Sequence, residues 1–458
     1  MRLKNAIAVC LAVLLLPGFL FSESLFEDSN SNTGDASAQA EVKQNIGINI
    51  GGYVKAGIFA GEDQNGHSIL MGNYGELDLK GDVVKEGFGR AFIDIREDAG
   101  YNGGMQDFSN SVDAVSESIP DIREAWVEVE KGIFSLTMGK QIIVWGRADS
   151  INPTNNLTPI NEFALSSEID DTRMGNEMVQ LKANLSPMLS LTGIWIPGYE
   201  ADNMPLNEIP FSLPPIISGV SFGSLAANNQ LQSGSSGAAR LDISADSIDG
   251  SISYYYGYNT LPGFNFAIIP VSMTSLSVVI TPIAYKMQAI GGDFSTALWT
   301  FGLRGEACVK IPELSPDNYA YIPKPYAQYV GGIDRTFGDF NALVQYSGVT
   351  VMDYKEVNDT EMTQWFNQLF TGTKDRFSHT VTASLGWNGV YDTLHAKLSG
   401  MYDFTTREYV LNPDVTYDVA DALKLTAGWR DFYGPDNSLN SLISKLLSTY
   451  YIEIKNSF

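Results

Sequence analysis

Most of the side chains in this 458-residue chain that could do chemistry are ionised groups set in alternation; nucleophiles and bases are few. Histidine occurs only at His67, His379 and His395, and cysteine only at Cys10 and Cys308. A hydrolytic triad needs a histidine beside a nucleophile and a carboxylate, and no such spacing stands out. HExxH, P-loop and calcium-loop patterns are also missing, and two cysteines cannot form a thiolate zinc site. The sequence therefore predicts a non-enzyme with no cofactor and no metal. It does carry charged rows that each keep one phase of a period-two pattern: Glu76, Asp78, Lys80 and Asp82; Arg90, Asp94 and Arg96; Glu124 and Glu128; Arg304 and Glu306. Rows of both signs facing a wet interior order water and sort solutes by charge and dipole. The plainer use of the same residues is structural pairing.

Rows of this kind need strands to carry them. From residue 46 onward, segments of about ten residues alternate apolar and polar, as barrel strands do. Leu77, Leu79 and Val83 interleave with the first row, Ala91, Ile93 and Ile95 with the second, and Ala125, Val127 and Val129 with the third. Residues 297–307 and 393–404 continue the pattern. Short turns are predicted near Lys85-Glu86-Gly87, Glu130-Lys131-Gly132, Ser186-Pro187, Ser247-Ile248-Asp249-Gly250, Gly291-Gly292, Phe337-Gly338, Asn388-Gly389 and Ala420-Asp421. Longer stretches separate them at 97–120, 146–175, 197–237, 259–274, 311–325, 353–376 and 433–448. No segment after the first twenty-two residues supplies the ~20 apolar residues of a membrane helix. The predicted fold is all-β, a transmembrane antiparallel β-barrel of about sixteen to eighteen strands, with eighteen the better count. Tyr53, Trp195, Tyr254, Tyr256, Trp387, Trp429 and Tyr433 are expected to form the interfacial girdles.

Both ends of the chain agree with an exported barrel. Residues 1–22 combine Arg2 and Lys4 with an apolar run and small residues, the layout of a cleaved signal peptide. Residues 23–45 are rich in Ser, Asn, Asp and Gln and predict a disordered periplasmic lead-in, leaving 46–458 as the barrel. Tyr450, Ile452, Ile454 and Phe458 share one face of the last strand, and the terminal aromatic residue resembles the insertion signal read by barrel-assembly machinery. Taking Arg2 and Lys4 from the 29 basic residues leaves 27 against 53 acidic, a net charge of −26. Like-charge repulsion then disfavours nucleic acid as a partner. The expected partners are outer-membrane lipids, the assembly machinery and small solutes. Whether the barrel is a monomer or a homo-oligomer is left open.

Residues 121–162 carry the most distinctive pattern. Arg123, Glu124 and Ala125 precede Gly139, Gln141, Trp145 and Gly146, followed by Asn152 and Pro153. This resembles a hairpin and following loop in porin-superfamily barrels of the alginate-export type and their uncharacterised relatives, and the resemblance implies passage of solutes. Read physically, Gln141 shares the lumen phase of Ser135 and Thr137 and can hydrogen-bond across the interior. Arg147, Asp149 and Asn152 open a loop long enough to fold inward and narrow the pore. Gly146-Arg147 and Asn152-Pro153 also suit plain turn geometry.

Other loops suggest alternatives. Pro205, Leu206, Ile209, Phe211, Leu213, Ile216, Ile217 and Phe222 form an apolar patch that should fold inward, meet a neighbour or accept an apolar ligand. Residues 357–370 predict a short amphipathic helix. The net negative charge would favour cations if much of it lines the pore; it could equally sit in outer loops, at Glu168, Asp170, Asp171, Asp353, Glu356, Asp359 and Glu361, where divalent ions could bridge it to lipid headgroups. These features together predict a porin-like channel for passive diffusion of small solutes. A hydrophobic-compound transporter of the fatty-acid-uptake kind and a structural or adhesive barrel are the alternatives.

Overall fold

A computed structural model describes residues 46–62, 68–102, 120–149, 151–161, 166–203, 217–222, 234–272, 275–314, 320–356, 361–436 and 438–458. The predicted signal peptide, the lead-in, His67 and residues 204–216 of the apolar patch lie outside the described residues. Eighteen strands form one sheet. They are β1 (Ile46–Glu62), β2 (Ser68–Lys85), β3 (Gly89–Asn102), β4 (Asp121–Lys131), β5 (Phe134–Gln141), β6 (Asn176–Ser186), β7 (Leu189–Ile196), β9 (Ser236–Ser244) and β10 (Ile248–Tyr258), followed by β13 (Lys286–Leu298), β14 (Phe301–Pro312), β15 (Tyr326–Phe337), β16 (Phe340–Val351), β17 (Phe377–Gly389), β18 (Leu394–Asp403), β19 (Glu408–Ala420), β20 (Leu423–Tyr433) and β21 (Thr449–Ser457). Successive members pair antiparallel, and β21 returns to β1 from Tyr53↔Ser457 to Ala60↔Tyr450, so the barrel is closed. Closure leaves no sheet edge facing lipid, which is the condition for strands to cross a bilayer.

The three other strands, β8 (Ile217–Phe222), β11 (Gly263–Ser272) and β12 (Ser275–Ile283), form a separate small sheet at the long-loop end. β11 and β12 are a hairpin, and β8 adds parallel to β12. Helices α1 (Met362–Phe370) and α2 (Leu439–Leu447) pack beside them. α1 lies within the predicted helical stretch. α2 begins at Ser438, whose Oγ accepts from Ser441 N while Ser441 Oγ accepts from Ser438 N, each at 3.2 Å. These reciprocal bonds satisfy donors at the helix start. Phe264, Val278, Ile280, Phe366, Ile443 and Leu447 are buried together, and Asn367 bonds both the N–H and the carbonyl of Phe264 at 2.7 Å. The apolar residues of three long loops thus cover one another.

Outside the barrel, Val127, Leu191, Ile252, Ile290, Val344 and Leu398 project into the surroundings, while their strand neighbours turn inward. Three expectations are corrected. Gly291-Gly292 lies inside β13, and the turn falls at 299–300, so 297–307 is a hairpin of two strands. Trp299 takes that turn with φ 56°. Tyr53 is buried in the lumen, where its hydroxyl donates to Glu76 Oε1 at 2.6 Å; it is no girdle residue. Trp195, Tyr254, Tyr256, Trp429 and Tyr433 do face outward.

Candidate functional site: an infolded loop across the lumen

Between β5 and β6 the chain leaves the wall and crosses the barrel interior. Its first step is set by Glu124, whose Oε1 accepts from Ile142 N at 2.9 Å. Ile143, Trp145 and Leu157 then pack against lumen-facing Met178, Ile194, Ile196, Ala238, Tyr255, Met287, Ala289 and Cys308. These come from β6, β7, β9, β10, β13 and β14, so an apolar core fills that half of the barrel. Each large side chain buried in this way contributes about 2 kcal/mol. Arg240 lies over the Trp145 ring, 5.6 Å from its centroid, a cation–π contact.

Glu306 is the anchor of this half. Its carboxylate accepts from Thr154 N at 2.6 Å, Thr154 Oγ1 at 2.8 Å, Arg147 N at 3.1 Å and Ala148 N at 3.3 Å. A buried carboxylate surrounded by donors is stable where a bare one is not. Gly146 has φ +104°, and a methyl group there would sit 2.5 Å from Glu306 Oε2. Gly146→Ala is therefore expected to weaken loop docking by about 1–3 kcal/mol. The measurement is added-protease cleavage of the loop in the folded protein; a rate equal to wild type would refute it. Arg147 lies 2.7 Å from Asp293 Oδ1 as an ion pair outside hydrogen-bond geometry. Asp149 receives Arg304 Nη1 at 2.8 Å and Gln345 Nε2 at 3.0 Å, and Arg304 also reaches Asp334 at 2.6 Å. The Asn152 amide, turned so that its nitrogen faces Ala148 O at 2.6 Å, closes the turn containing Pro153.

The returning half of the loop is held at a different part of the wall. A short 3₁₀ turn, Ile169–Thr172, places Asp171 against β1 and β3. Asp171 bonds Lys55 Nζ and accepts from Arg96 Nη2 at 2.9 Å and from Ser166 Oγ at 2.5 Å. Burial pushes its carboxyl up, but Lys55 and Arg96 outweigh burial and hold it well below the usual carboxylate range. Glu168 accepts twice from Lys455 Nζ at 2.8 Å, Glu453 accepts from Ser167 N at 3.0 Å, and Arg430 donates to Ser166 O at 2.7 Å. Arg123 Nη2 donates to Asp170 O at 2.9 Å and Arg173 O at 3.3 Å.

The predicted residues therefore divide into groups. Arg123, Glu124, Trp145, Gly146, Arg147, Asn152 and Pro153 all serve the loop. Gly139 has φ +132°, and a methyl group there would meet Ala125 O at 2.1 Å. Glu76, Asp78, Asp94 and Arg96 are buried at the lumen side of β2 and β3; Arg96 lies 3.4 Å from both Glu76 and Asp78. Lys80 reaches Asp78 at 3.6 Å and Asp94 at 3.5 Å, while Arg90 and Asp82 pair at 2.7 Å near the short-turn end. Glu128 is half-buried on β4 beside them.

Two expectations fail here. Gln141 does not reach across the interior; its Nε2 donates to Met178 O at 3.0 Å and Gly139 O at 3.3 Å. Glu168 and Asp171 are not outer-loop acids, because their carboxylates face lysine and arginine inside the barrel. Sequence reasoning missed Lys55, although it shares the phase of Glu76's neighbours across β1 and β2. Glu453 and Lys455, on the face of the last strand opposite Ile452 and Ile454, were legible as inward-facing but not as loop anchors, and Asp293 was hidden by the turn expected at Gly291-Gly292. Among the described residues, no three His, Cys, Asp or Glu side chains converge as a metal site. His379 contacts the Tyr346 hydroxyl at 2.6 Å, and His395 contacts Asn388 and Asp418.

A closed eighteen-stranded barrel with a loop pinned across its interior has the architecture of an outer-membrane porin. The chain belongs to the family described as Protein of unknown function (DUF1302), whose model matches residues 32–306, more than half of its length. No curated protein matches the chain. Among solved structures, a BenF-like porin from Pseudomonas fluorescens Pf-5 is 10% identical with a TM-score of 0.53, covering 90% of this chain and 98% of the porin. OccK8 (OprE) from Pseudomonas aeruginosa is 11% identical with a TM-score of 0.52, covering 90% and 97%. OpdK from Pseudomonas aeruginosa, solved with vanillate, is 9% identical with a TM-score of 0.50, covering 89% and 98%. At these identities the likeness is one of fold. The barrel fold that the sequence resemblance implied is shared with these porins, and the alginate-export part of the resemblance is not confirmed.

Proposed function

We propose that the protein is a passive channel of the bacterial outer membrane, admitting small solutes through a polar lumen narrowed by the loop after β5. The observation that carries this reading is the loop's attachment to two separate sectors of the wall, by Glu306 on one side and Asp171 on the other. A segment fixed at both ends across a barrel sets a constriction without needing chemistry or an energy source. The charged rows on β2 and β3 serve mainly to hold that geometry, since they pair with one another and with the loop. That a barrel of this fold was solved with vanillate supports a small-molecule cargo. The reading includes a cleaved signal peptide at 1–22, a lead-in at 23–45, assembly through the Phe458 end and no catalysis. The hydrophobic-transporter alternative rests on the apolar patch from Pro205 to Phe222, most of which lies outside the described residues, and it stays the second reading. Refolded protein in a planar bilayer is expected to carry a steady ionic current; correctly folded barrels that insert and remain silent would overturn the proposal.

A further inference from the structure

The loop does not treat the barrel wall evenly. Its apolar core fills the side lined by β6, β7, β9, β10, β13 and β14. Its polar bonds reach β4, β14 and β16 in one direction and β1, β3, β20 and β21 in the other. None of these bonds runs to β17, β18 or β19. Solvent exposure follows the same division. Inward-facing Thr137, Gln141, Thr192, Ser251 and Cys308 are buried. On β17 to β19, inward-facing Thr380, Thr382, Ser384, Ser399, Asn412 and Thr416 are half-exposed to the lumen.

The register stacks these last residues into rows. Ser384 faces Ser399, which faces Asn412 on the next strand, and Thr380 faces Asp403. Nearer the short-turn end, Lys397 stands opposite Asp414, and Thr416 shares a 2.9 Å hydrogen bond with Thr426. The wall therefore presents mostly hydroxyls and amides, and its central charges come as an opposed pair. Hydroxyls and amides both donate and accept. They can replace the hydration of an uncharged polar solute from either sense. An isolated carboxylate or ammonium passing the same surface loses ion hydration, while Lys397 is already opposed by Asp414 and the Asp403 carboxylate already accepts from the Thr380 hydroxyl and the Thr405 and Thr406 N–H groups.

We infer that the permeation path is the crescent between the infolded loop and β17–β19, and that its cargo is small, uncharged, hydroxyl-rich solutes. This rests on the channel reading and adds to it a location and a substrate class. The test uses single cysteines in the full-length protein, because Cys308 is buried in the filled half and should not react with a bulky charged methanethiosulfonate. Thr382→Cys and Ser399→Cys are expected to react and to lose about half or more of the single-channel current. Thr192→Cys, on the filled side, is expected to stay at the wild-type current. Block at Thr192→Cys with none at either crescent position would overturn the location. Liposome swelling then addresses the class: an uncharged polyol should enter faster than a carboxylate or an alkylammonium ion of similar size. Faster entry of either ion would overturn the class while leaving the channel reading intact. A folded wild-type barrel without current would sink the channel reading itself, and this inference with it.

Discussion

Glu306→Ala is expected to open the pore. The carboxylate accepts three buried backbone N–H groups and the Thr154 hydroxyl, so its loss orphans four donors at once. Each orphaned buried donor costs about 1–3 kcal/mol. The docked state of the loop should therefore weaken by roughly 3 kcal/mol or more, a shift of over about a hundredfold in its population. The barrel itself should survive, because Glu306 on β14 keeps its backbone pairing with Val330 on β15 and Asp293 on β13. Planar-bilayer recordings should show a larger and noisier conductance from protein that still migrates as a folded barrel. Glu306→Gln keeps one acceptor oxygen but turns an amide N–H₂ toward the remaining donors, so an intermediate conductance is expected. A Glu306→Ala channel with wild-type conductance would mean that the apolar core around Trp145 and Leu157 fixes the constriction without the anchor.

The barrel was legible from the sequence because its signal is repeated. Period-two alternation recurs in strand after strand, and one misread turn, Gly291-Gly292, does not alter the count of eighteen. The loop was legible in part, since its length suggested that it folds inward, while Asn152-Pro153 suited plain turn geometry as well. Its partners were not. Glu306 lies over 150 residues from Thr154, and Lys55 lies 116 residues from Asp171. No local spacing encodes such contacts. The acids Glu168 and Asp171 looked external because a loop acid is ordinarily solvated; only the descent of the loop brings them to Lys455 and Lys55. Tyr53 is a different kind of miss. It shares its phase with Lys55, and Lys55 on an inward face placed it in the lumen, yet aromatic character alone suggested the girdle. The small sheet of β8, β11 and β12 was invisible for a third reason: parallel pairing between distant loops leaves no periodic mark on either.

Asp171→Asn is expected to release the other end of the constriction and to cost more stability than any surface charge change. Lys55 is 2% exposed and Asp171 7%, so screening by solvent is weak and the low value typical of surface pairs does not apply. Removing one member of a buried ionic group leaves the others uncompensated, at about 3–5 kcal/mol. Here both Lys55 and Arg96 would lose Asp171, leaving Lys55 to share Glu76 with Arg96, which also retains Asp78, so the lower end of that range is expected. The midpoint of denaturant unfolding in micelles should fall, and conductance should rise as Ser166, Ser167 and Glu168 loosen from β20 and β21. Acid should have the same effect on wild type, with a sign fixed by linkage. The folded carboxyl of Asp171 is held below its ordinary value near 3.8, so its stabilising contribution is fully present above that value. It is lost only as pH falls through the lower folded value. Wild-type conductance should therefore be steady as far as this group is concerned from neutral pH down to the ordinary carboxylate range, and its step should come only in stronger acid. Asp171→Asn has no carboxylate to protonate there and should show the open level already at neutral pH. A mutant whose conductance, unfolding midpoint and acid response all match wild type would show that Glu168–Lys455 and Ser167–Glu453 hold this end without Asp171.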